Sequence, residues 1–547
     1  MAPTVSPETN MISDVDDSSK DVFKDIERVV QPPCTRQPQA SAKSATISLS
    51  VRSAFREATV FMTGALGFVG SVTLEQLLRT CPDVRKVILL VRRKKGQSGE
   101  QRLEHLLHGR PLFRGMWVDG RIPDAVRAKL YVLEGDLSEP DCGLSERQLA
   151  ELRAEVDWVI HSAASISFFE HVHTLLDQNY LATKKVAELA EGMPRLRGFV
   201  HVSTAYVNAH RPKGSHIEEA IYPLTRTDGQ VVAHASLAAE LAALPHGKAE
   251  RKAQGLLQEV GLPNCYTLTK HMAECLLADA HATGRLRVAI VRPSVVGCIA
   301  CSPLPGYFGN AAGVPSATVA FASGMARFMC HDPCNVFDCV PCDVVASVVL
   351  LSVAALQQGS EKGGPLILHA ATSTTNTVRY CDLFMSTVLP YWQSNPPSHR
   401  LTSKPYKSIW AKNSYLPENT LTFKRLRLKQ GLRLCAIAAG LRLAGHRIVA
   451  QRLMSGWKVW KLYNTSSMDF HLFFCCYNVA QLHRMLSDKE RTIIKPLWQA
   501  PDDEWEEYML AYMEAIRAKF YPAPKQAAQV EQPVEEQQAL PALVKAA

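Results

Sequence analysis

The chain has 547 residues, 47% apolar and 21% charged, with 61 Lys and Arg against 52 Asp and Glu for a net charge of +9. This length and balance predict about two globular domains with sizeable cores and exclude a fibrous, collagenous or wholly disordered chain. No apolar run reaches about 18 residues, so neither a secretory signal nor a membrane span is expected, and the 15 cysteines are expected as reduced thiols.

Residues 1–57 are rich in Ser, Pro and Thr, lack apolar periodicity until Val51, and are expected to be mostly disordered. Asp14, Asp16, Asp17, Asp21 and Asp25 argue against an organelle transit peptide beginning at Met1, while the acid-free stretch 34–56 leaves an internal targeting role open. A run of β-formers at 59–62 then leads into Thr63, Gly64, Gly67 and Gly70, and residues 71–79 carry leucines at helical spacing. Glycines at a strand-to-helix junction permit a tight turn and let a pyrophosphate reach the backbone and the helix N-terminus. A second strand, 86–91, follows at βαβ distance and ends in Arg92, Arg93, Lys94 and Lys95. An acidic residue there would bind a ribose hydroxyl; cations suit a 2′-phosphate, so the expected cofactor is NADPH.

A further strand at 198–202 ends in Ser203 and Thr204, where a hydroxyl is placed to hold a carbonyl oxygen. Tyr266 and Lys270 are four apart in NCYTLTKHMAE and share one helix face, so an ammonium lies near a phenol. Thr204, Tyr266 and Lys270 together form a candidate catalytic set. His161 and His201 read as strand-end or core residues. The insertion 210–263 carries two helical patterns and reads either as a lid or as a peripheral helical pair. Residues 306–313 read as a flexible substrate loop or a simple turn, a helix begins near Asp343, and Trp505, Tyr508, Met509 and Tyr512 are spaced as a buried helix face.

Cys298/Cys301 and Cys339/Cys342, with Cys330, His331 and Cys334 nearby, have spacing that can ligate zinc, but their apolar surroundings favour core cysteines, and no metal is expected. Charge concentrates between residues 400 and 461, where 14 Lys or Arg face only Glu418. Leu426, Leu434, Ile437, Leu441 and Ile448 fall near one side of a helix wheel, with Arg425, Lys429, Arg433 and Arg447 beside them. Such a segment either lies on an anionic membrane surface or packs as a basic helix on its own domain. No nucleic-acid reader module accompanies the charge, so nucleic acid is not an expected partner. The tail, 522–547, is expected to be unstructured.

Several ordered motifs carry a family likeness over most of the chain: TGALGFVG, LVRRKKGQ, GDLSEPDCGLS, HSAASISF, HVSTAYVN, YTLTK and RPSVVG followed by PLPGY, then YNVAQLHRML and WEEYMLAYMEAIRAKFY near the C-terminus. The sequence resembles the extended short-chain dehydrogenase/reductases and, within them, the alcohol-forming fatty acyl-CoA reductases. The resemblance implies an α/β fold with a doubly wound, Rossmann-type parallel sheet and a mainly helical C-terminal domain. The matching boundaries are an NADP-binding reductase domain at 58–375, a basic segment at 376–468 and the C-terminal domain at 469–521. It implies cofactor contacts from Thr63, Gly64, Gly67, Phe68, Val69 and Gly70 at the pyrophosphate, Arg92 and Lys94 at the 2′-phosphate, and Asp136 and Leu137 at the adenine. Ala163, Ala164, Asn179, Tyr266, Lys270 and Pro293 complete that set. Thr204 would hold the carbonyl, Tyr266 act as acid, Lys270 hold down its pKa, and the insertion help cover the acyl chain. The implied substrate is a long-chain fatty acyl-CoA reduced to a primary alcohol, although the carrier remains open between coenzyme A and an acyl carrier protein. An aldehyde-forming reductase and a sterol or sugar-nucleotide dehydrogenase are the alternatives. The expected location is intracellular, peripheral on the endoplasmic reticulum or another organelle membrane, and no oligomeric state can be read.

Overall fold

A computed structural model of the chain describes residues 48–309, 313–323, 332, 335–359, 363–397, 420–463, 470–499 and 503–522. The near-continuous apolar runs TVFMT, KVILLV, GFVHV and LILHA cannot leave a face in water, and each forms a strand buried almost throughout. Seven strands make one sheet: β1 (Thr59–Thr63), β2 (Lys86–Val91), β3 (Leu130–Glu134), β4 (Trp158–His161), β5 (Gly198–Val202), β6 (Val288–Pro293) and β7 (Leu366–Ala370). All pairings are parallel and the order is 7-6-5-4-1-2-3. The order reverses between β1 and β4, which opens a crevice at their carboxyl ends. The register there sets Thr63 beside His161 and His161 beside His201.

Among the described helices are α1 (Phe68–Thr80), α2 (His234–Ala243), α3 (His246–Val260), α4 (Cys265–Ala282), α5 (Cys342–Gln358), α6 (Leu421–Leu443), α7 (Arg447–Tyr463) and α8 (Asp503–Phe520). The α1 and α5 helices pack together, and Gln76 Nε2 donates to Ser347 Oγ at 2.8 Å across their contact. The insertion forms α2 and α3, whose Leu237, Leu241, Ala253 and Leu257 share a core with Val172, Leu176, Leu268 and Met272. It is therefore a helical pair buttressing the helix that carries Tyr266.

Three expectations shift. First, residues 48–57 are folded: Ser50 caps a short helix, Val51–Phe55, whose Phe55 is fully buried and whose Ala54 carbonyl accepts Trp158 Nε1 at 3.0 Å. Residues 1–47, with the acidic cluster and most of the basic stretch, lie outside the described residues, as do 398–419 and 523–547. Second, the C-terminal stretch closes no core of its own. Trp505, Tyr508, Met509, Tyr512 and Ile516 of α8 join the same cluster as Val60, Met62 and Trp158 of the sheet, and Phe473–Phe474 pairs with His216–Ile217. Gly297 makes the fit specific, because a Cβ there would collide with the Tyr508 hydroxyl, which instead donates to the Cys298 carbonyl at 3.2 Å.

Third, α6 and α7 form an antiparallel hairpin whose inner side differs in use from the wheel reading. Leu434 is 1% exposed, Ile437 and Leu441 are half-buried against the core, and Phe423, Ala438, Trp457 and Trp460 complete the contact. The face expected to meet a membrane thus packs largely on the protein, because Trp457 and Trp460, stacked at 4.7 Å, supply its partner. Leu428, Leu432 and Leu443 point outward instead, at 64, 64 and 90% exposure, and Ile448 remains exposed as well. Among the described residues, no helix is long and apolar enough to cross a membrane.

Candidate active site

The glycine turn joins β1 to α1 at the sheet's crevice. Gly64 has φ +75°, and a Cβ on it would lie 2.5 Å from the Ala163 nitrogen, so the turn and the loop after β4 touch backbone to backbone. Gly70 permits the first helical turn to fold over the Gly64 carbonyl, which a side chain would strike. Gly67 caps α1 without a side-chain hydrogen bond, and no acid occupies the first turn, so the N–H groups at Phe68, Val69 and Gly70 are suited to an anion. Thr63 Oγ1 contacts His161 Nδ1 at 2.7 Å and accepts from the Ala163 nitrogen at 3.3 Å, fixing the loop that carries Ala163 and Ala164. This cradle fits a dinucleotide pyrophosphate.

At the end of β2, Arg92 is exposed and Arg93 is paired to Glu134 at 2.7 Å. Lys94 sits in a small turn, its backbone bridged to Gln97. A cation missed in the sequence joins them: Arg102, from the following helix, donates from Nη1 to the Arg92 carbonyl at 2.5 Å. Burial holds the Arg102 guanidinium below its usual range, and the like charges of Arg92 and Arg110 add to the effect. Three guanidiniums gathered at the strand end favour an anionic group. Asp136 Oδ1 accepts from the Ser138 nitrogen and hydroxyl, and Lys185 Nζ donates to the Leu137 carbonyl at 3.0 Å, so both residues shape the loop beyond β3.

Thr204 follows β5 and caps a short 3-10 turn, its hydroxyl donating to the Pro293 carbonyl at 3.4 Å and accepting from the Tyr206 nitrogen at 3.3 Å. That hydroxyl lies near the Tyr266 phenol on α4. Burial pushes the Tyr266 phenol up to about 12, with the neighbouring Thr204 hydroxyl acting in the opposite sense. Lys270 lies one turn further along the same helix. Its buried Nζ donates to the Val202 carbonyl at 2.7 Å and to His201 Nε2 at 3.0 Å, and burial pushes its pKa down to about 7, opposed by Glu274. Tyr266 is therefore a protonated phenol near neutral pH.

His201 is buried near the end of β5, as expected of a strand-end or core residue, and it also holds the Lys270 head. Burial, then Lys270 and His161, keep its ring neutral; its Nδ1 has no hydrogen-bond partner among the described residues. A signal was present, since β4 and β5 each carry a histidine just before their site loops. Asn179 is buried with both amide atoms hydrogen-bonded, Oδ1 accepting from the Ser165 nitrogen at 2.8 Å and Nδ2 donating to Thr269 Oγ1 at 3.1 Å. It ties the 163–167 loop to α4, with one acceptor and one donor position of the amide still to be filled. The Ser203 hydroxyl is buried without a partner among the described residues. Cys298, Cys339 and Cys342 are buried thiols whose pKa values burial pushes up; Cys330, His331 and Cys334 lie outside the described residues. Loop residue Gly309 packs against Phe68 at the start of α1, while 310–312 lie outside the described residues.

A doubly wound parallel sheet, a glycine cradle at its switch point and a Thr–Tyr pair beside a buried lysine define a nicotinamide-dependent oxidoreductase of the short-chain dehydrogenase/reductase type. Residues 62–349, more than half of the chain, match the model of the male sterility protein family, and the chain belongs to that family. It is 31% identical over 375 residues to fatty acyl-CoA reductase 1 of Rattus norvegicus, covering 67% of this chain and 68% of that protein. To the human protein of the same name it is 32% identical over 335 residues, a span of 60% of each chain. Among solved structures, the terminal R domain of the myxalamid PKS-NRPS pathway aligns with a TM-score of 0.54 at 19% identity, over 87% of this chain and 96% of that one. The reductase domain of a nonribosomal peptide synthetase from Mycobacterium tuberculosis aligns at 0.51 and 19%, over 86 and 94%. These two share the fold.

Proposed function

We propose that the protein reduces a long-chain fatty acyl-CoA, with NADPH, through the aldehyde to the primary alcohol and releases coenzyme A. The observation that carries this reading is the Thr204–Tyr266 hydroxyl pair beside the glycine cradle. The names of the relatives supply the substrate class, and the guanidinium cluster at Arg92 and Arg102 supports NADPH over NADH. NADPH held in the glycine cradle would supply the hydride that reduces the thioester carbon. Thr204 and Tyr266 hydrogen-bond the carbonyl oxygen, and Tyr266 gives it a proton as charge develops there. The resulting hemithioacetal breaks its C–S bond to release thiol and aldehyde. The same two hydroxyls then hold the aldehyde oxygen for the second reduction, so each thioester consumes two NADPH. Lys270, held by the Val202 carbonyl and His201, keeps its amine close to the reacting end. The outward leucines and cations of α6 support a peripheral seat on an organelle membrane such as the endoplasmic reticulum.

Tyr266→Phe tests the chemistry. NADPH affinity, followed by fluorescence, should persist while acyl-CoA-dependent NADPH oxidation falls about 10²- to 10⁴-fold. Wild-type turnover in that variant would remove Tyr266 from its assigned role.

A further inference from the structure

The loop after β4 carries Phe168 and Phe169 side by side. The Phe168 ring lies 5.6 Å from the Tyr266 ring, so this loop is a wall of the reaction site. Phe169 and the α6–α7 hairpin border a shallow, open cleft of about 510 Å³, lined among the described residues by Arg427, Lys458 and Lys461. Three cations and no carboxylate line it among the described residues. The Arg427 guanidinium lies 5.5 Å from the Phe423 ring centroid and Lys461 Nζ lies 6.0 Å from that of Trp457, and both rings are buried in the hairpin core. Two of the three heads are thus steadied on aromatic faces of a packed element, and Lys458 stands exposed between them in sequence.

A fatty acyl thioester is apolar along its chain and neutral at the pantetheine amides. Its only strong charges are the phosphates at the far end of the carrier, and Arg and Lys are the side chains that bind phosphate. We infer that the Phe169–Arg427–Lys458–Lys461 cleft docks the phosphate end of the phosphopantetheine carrier while the thioester reaches Tyr266 past Phe168. The inference rests on the thioester reading above and adds the residues that select the carrier. Free coenzyme and a carrier protein both present this chemistry.

The test uses the full chain and two thioesters of one fatty acid, the coenzyme A ester and the N-acetylcysteamine ester, which keeps the reacting group but has no phosphate. In Lys458→Glu/Lys461→Glu, the ratio of kcat/KM for the first to that for the second should fall at least tenfold, chiefly through KM; the milder Lys458→Gln/Lys461→Gln should fall in between. An unchanged ratio, whether both substrates hold or both decline, would overturn the assignment. The same acyl group on an acyl carrier protein separates the sources, since a larger loss there than with coenzyme A identifies the protein-borne arm. If wild type reduces neither thioester, the functional reading fails, and calorimetric binding of desulfo-coenzyme A then decides the cleft by itself: loss of binding in the Glu variant supports it, and equal binding overturns it. Loss of flotation with anionic phosphatidylserine vesicles at an unchanged substrate ratio would assign these lysines to a lipid surface instead.

Discussion

Arg102 joins Arg92 at the carboxyl end of β2 from outside the strand and turn that carry it, and we propose it as part of the nucleotide phosphate site. Its guanidinium hangs on the Arg92 carbonyl, and after burial the like charges of Arg92 and Arg110 lower its pKa, a repulsion that a phosphate dianion would relieve. Charge-assisted hydrogen bonds contribute about 1.5–3 kcal/mol each, roughly ten- to a hundredfold in affinity. Arg102→Ala should therefore weaken NADPH binding by at least tenfold while changing NADH binding by less than about threefold, read as two dissociation constants. Equal weakening of both would contradict a 2′-phosphate role. Arg92 was legible because it closes a recognisable strand, and Tyr266 and Lys270 because helical spacing brings i and i+4 together. Arg102 was not, since ten residues and a turn separate it from its partner. The Lys270–His201 contact was hidden for the same reason: it crosses from α4 to β5, and no local period encodes which carbonyl or ring a buried lysine will find. Asn179 was legible as a site position, but its use as a tether between loop and helix depends on Ser165 and Thr269, contacts that only the fold creates.

At the scale of elements, the α6–α7 hairpin carries two apolar stripes, and a wheel cannot say which is inside. Leu434 and Ala438 are buried with Trp457 and Trp460, which leaves Leu428, Leu432 and Leu443 outward beside Arg425, Lys429 and Arg433. Leucines of this exposure flanked by cations suit the headgroup boundary of an anionic bilayer, where long basic side chains reach the phosphates. Arg425→Glu/Lys429→Glu/Arg433→Glu should lose most of its flotation with anionic liposomes, and Leu428→Ser/Leu432→Ser should lose it without a change in net charge. Retention equal to wild type in both variants would leave α6 as an exposed helix with no lipid role. The helical insertion shows the complementary case: its helices were legible from alanine and leucine periodicity, whereas its packing on α4 follows from Leu268 and Met272 presenting an apolar outer face to it.

Across the whole molecule, one continuous core runs from β1 to α8, so the reductase sheet and the C-terminal helix stand or fall together. That core encloses several ionisable groups. Burial pushes His161 and His369 down to about 3, His210 to about 4, and His201 well below its usual value, whereas Glu219 is pushed up to about 8. Between pH 6.5 and 5 the unfolded chain binds protons at four histidines that the native chain keeps neutral, and Glu219, protonated when native, offsets about one of them. The histidine contribution is thus present above about pH 6.5 and is lost as pH falls toward the native values, so the urea midpoint should drop from pH 7 to pH 5. A flat or rising midpoint would contradict this balance. The function rests on the same shared core, which sets Thr204 and Tyr266 beside the glycine cradle. Its most direct test is to incubate the purified chain with limiting palmitoyl-CoA and excess NADPH, counting NADPH oxidised per thioester and identifying the lipid by mass. The account predicts two NADPH and hexadecanol with free coenzyme A; no thioester-dependent oxidation would contradict it, and aldehyde at one NADPH per thioester would contradict the second reduction.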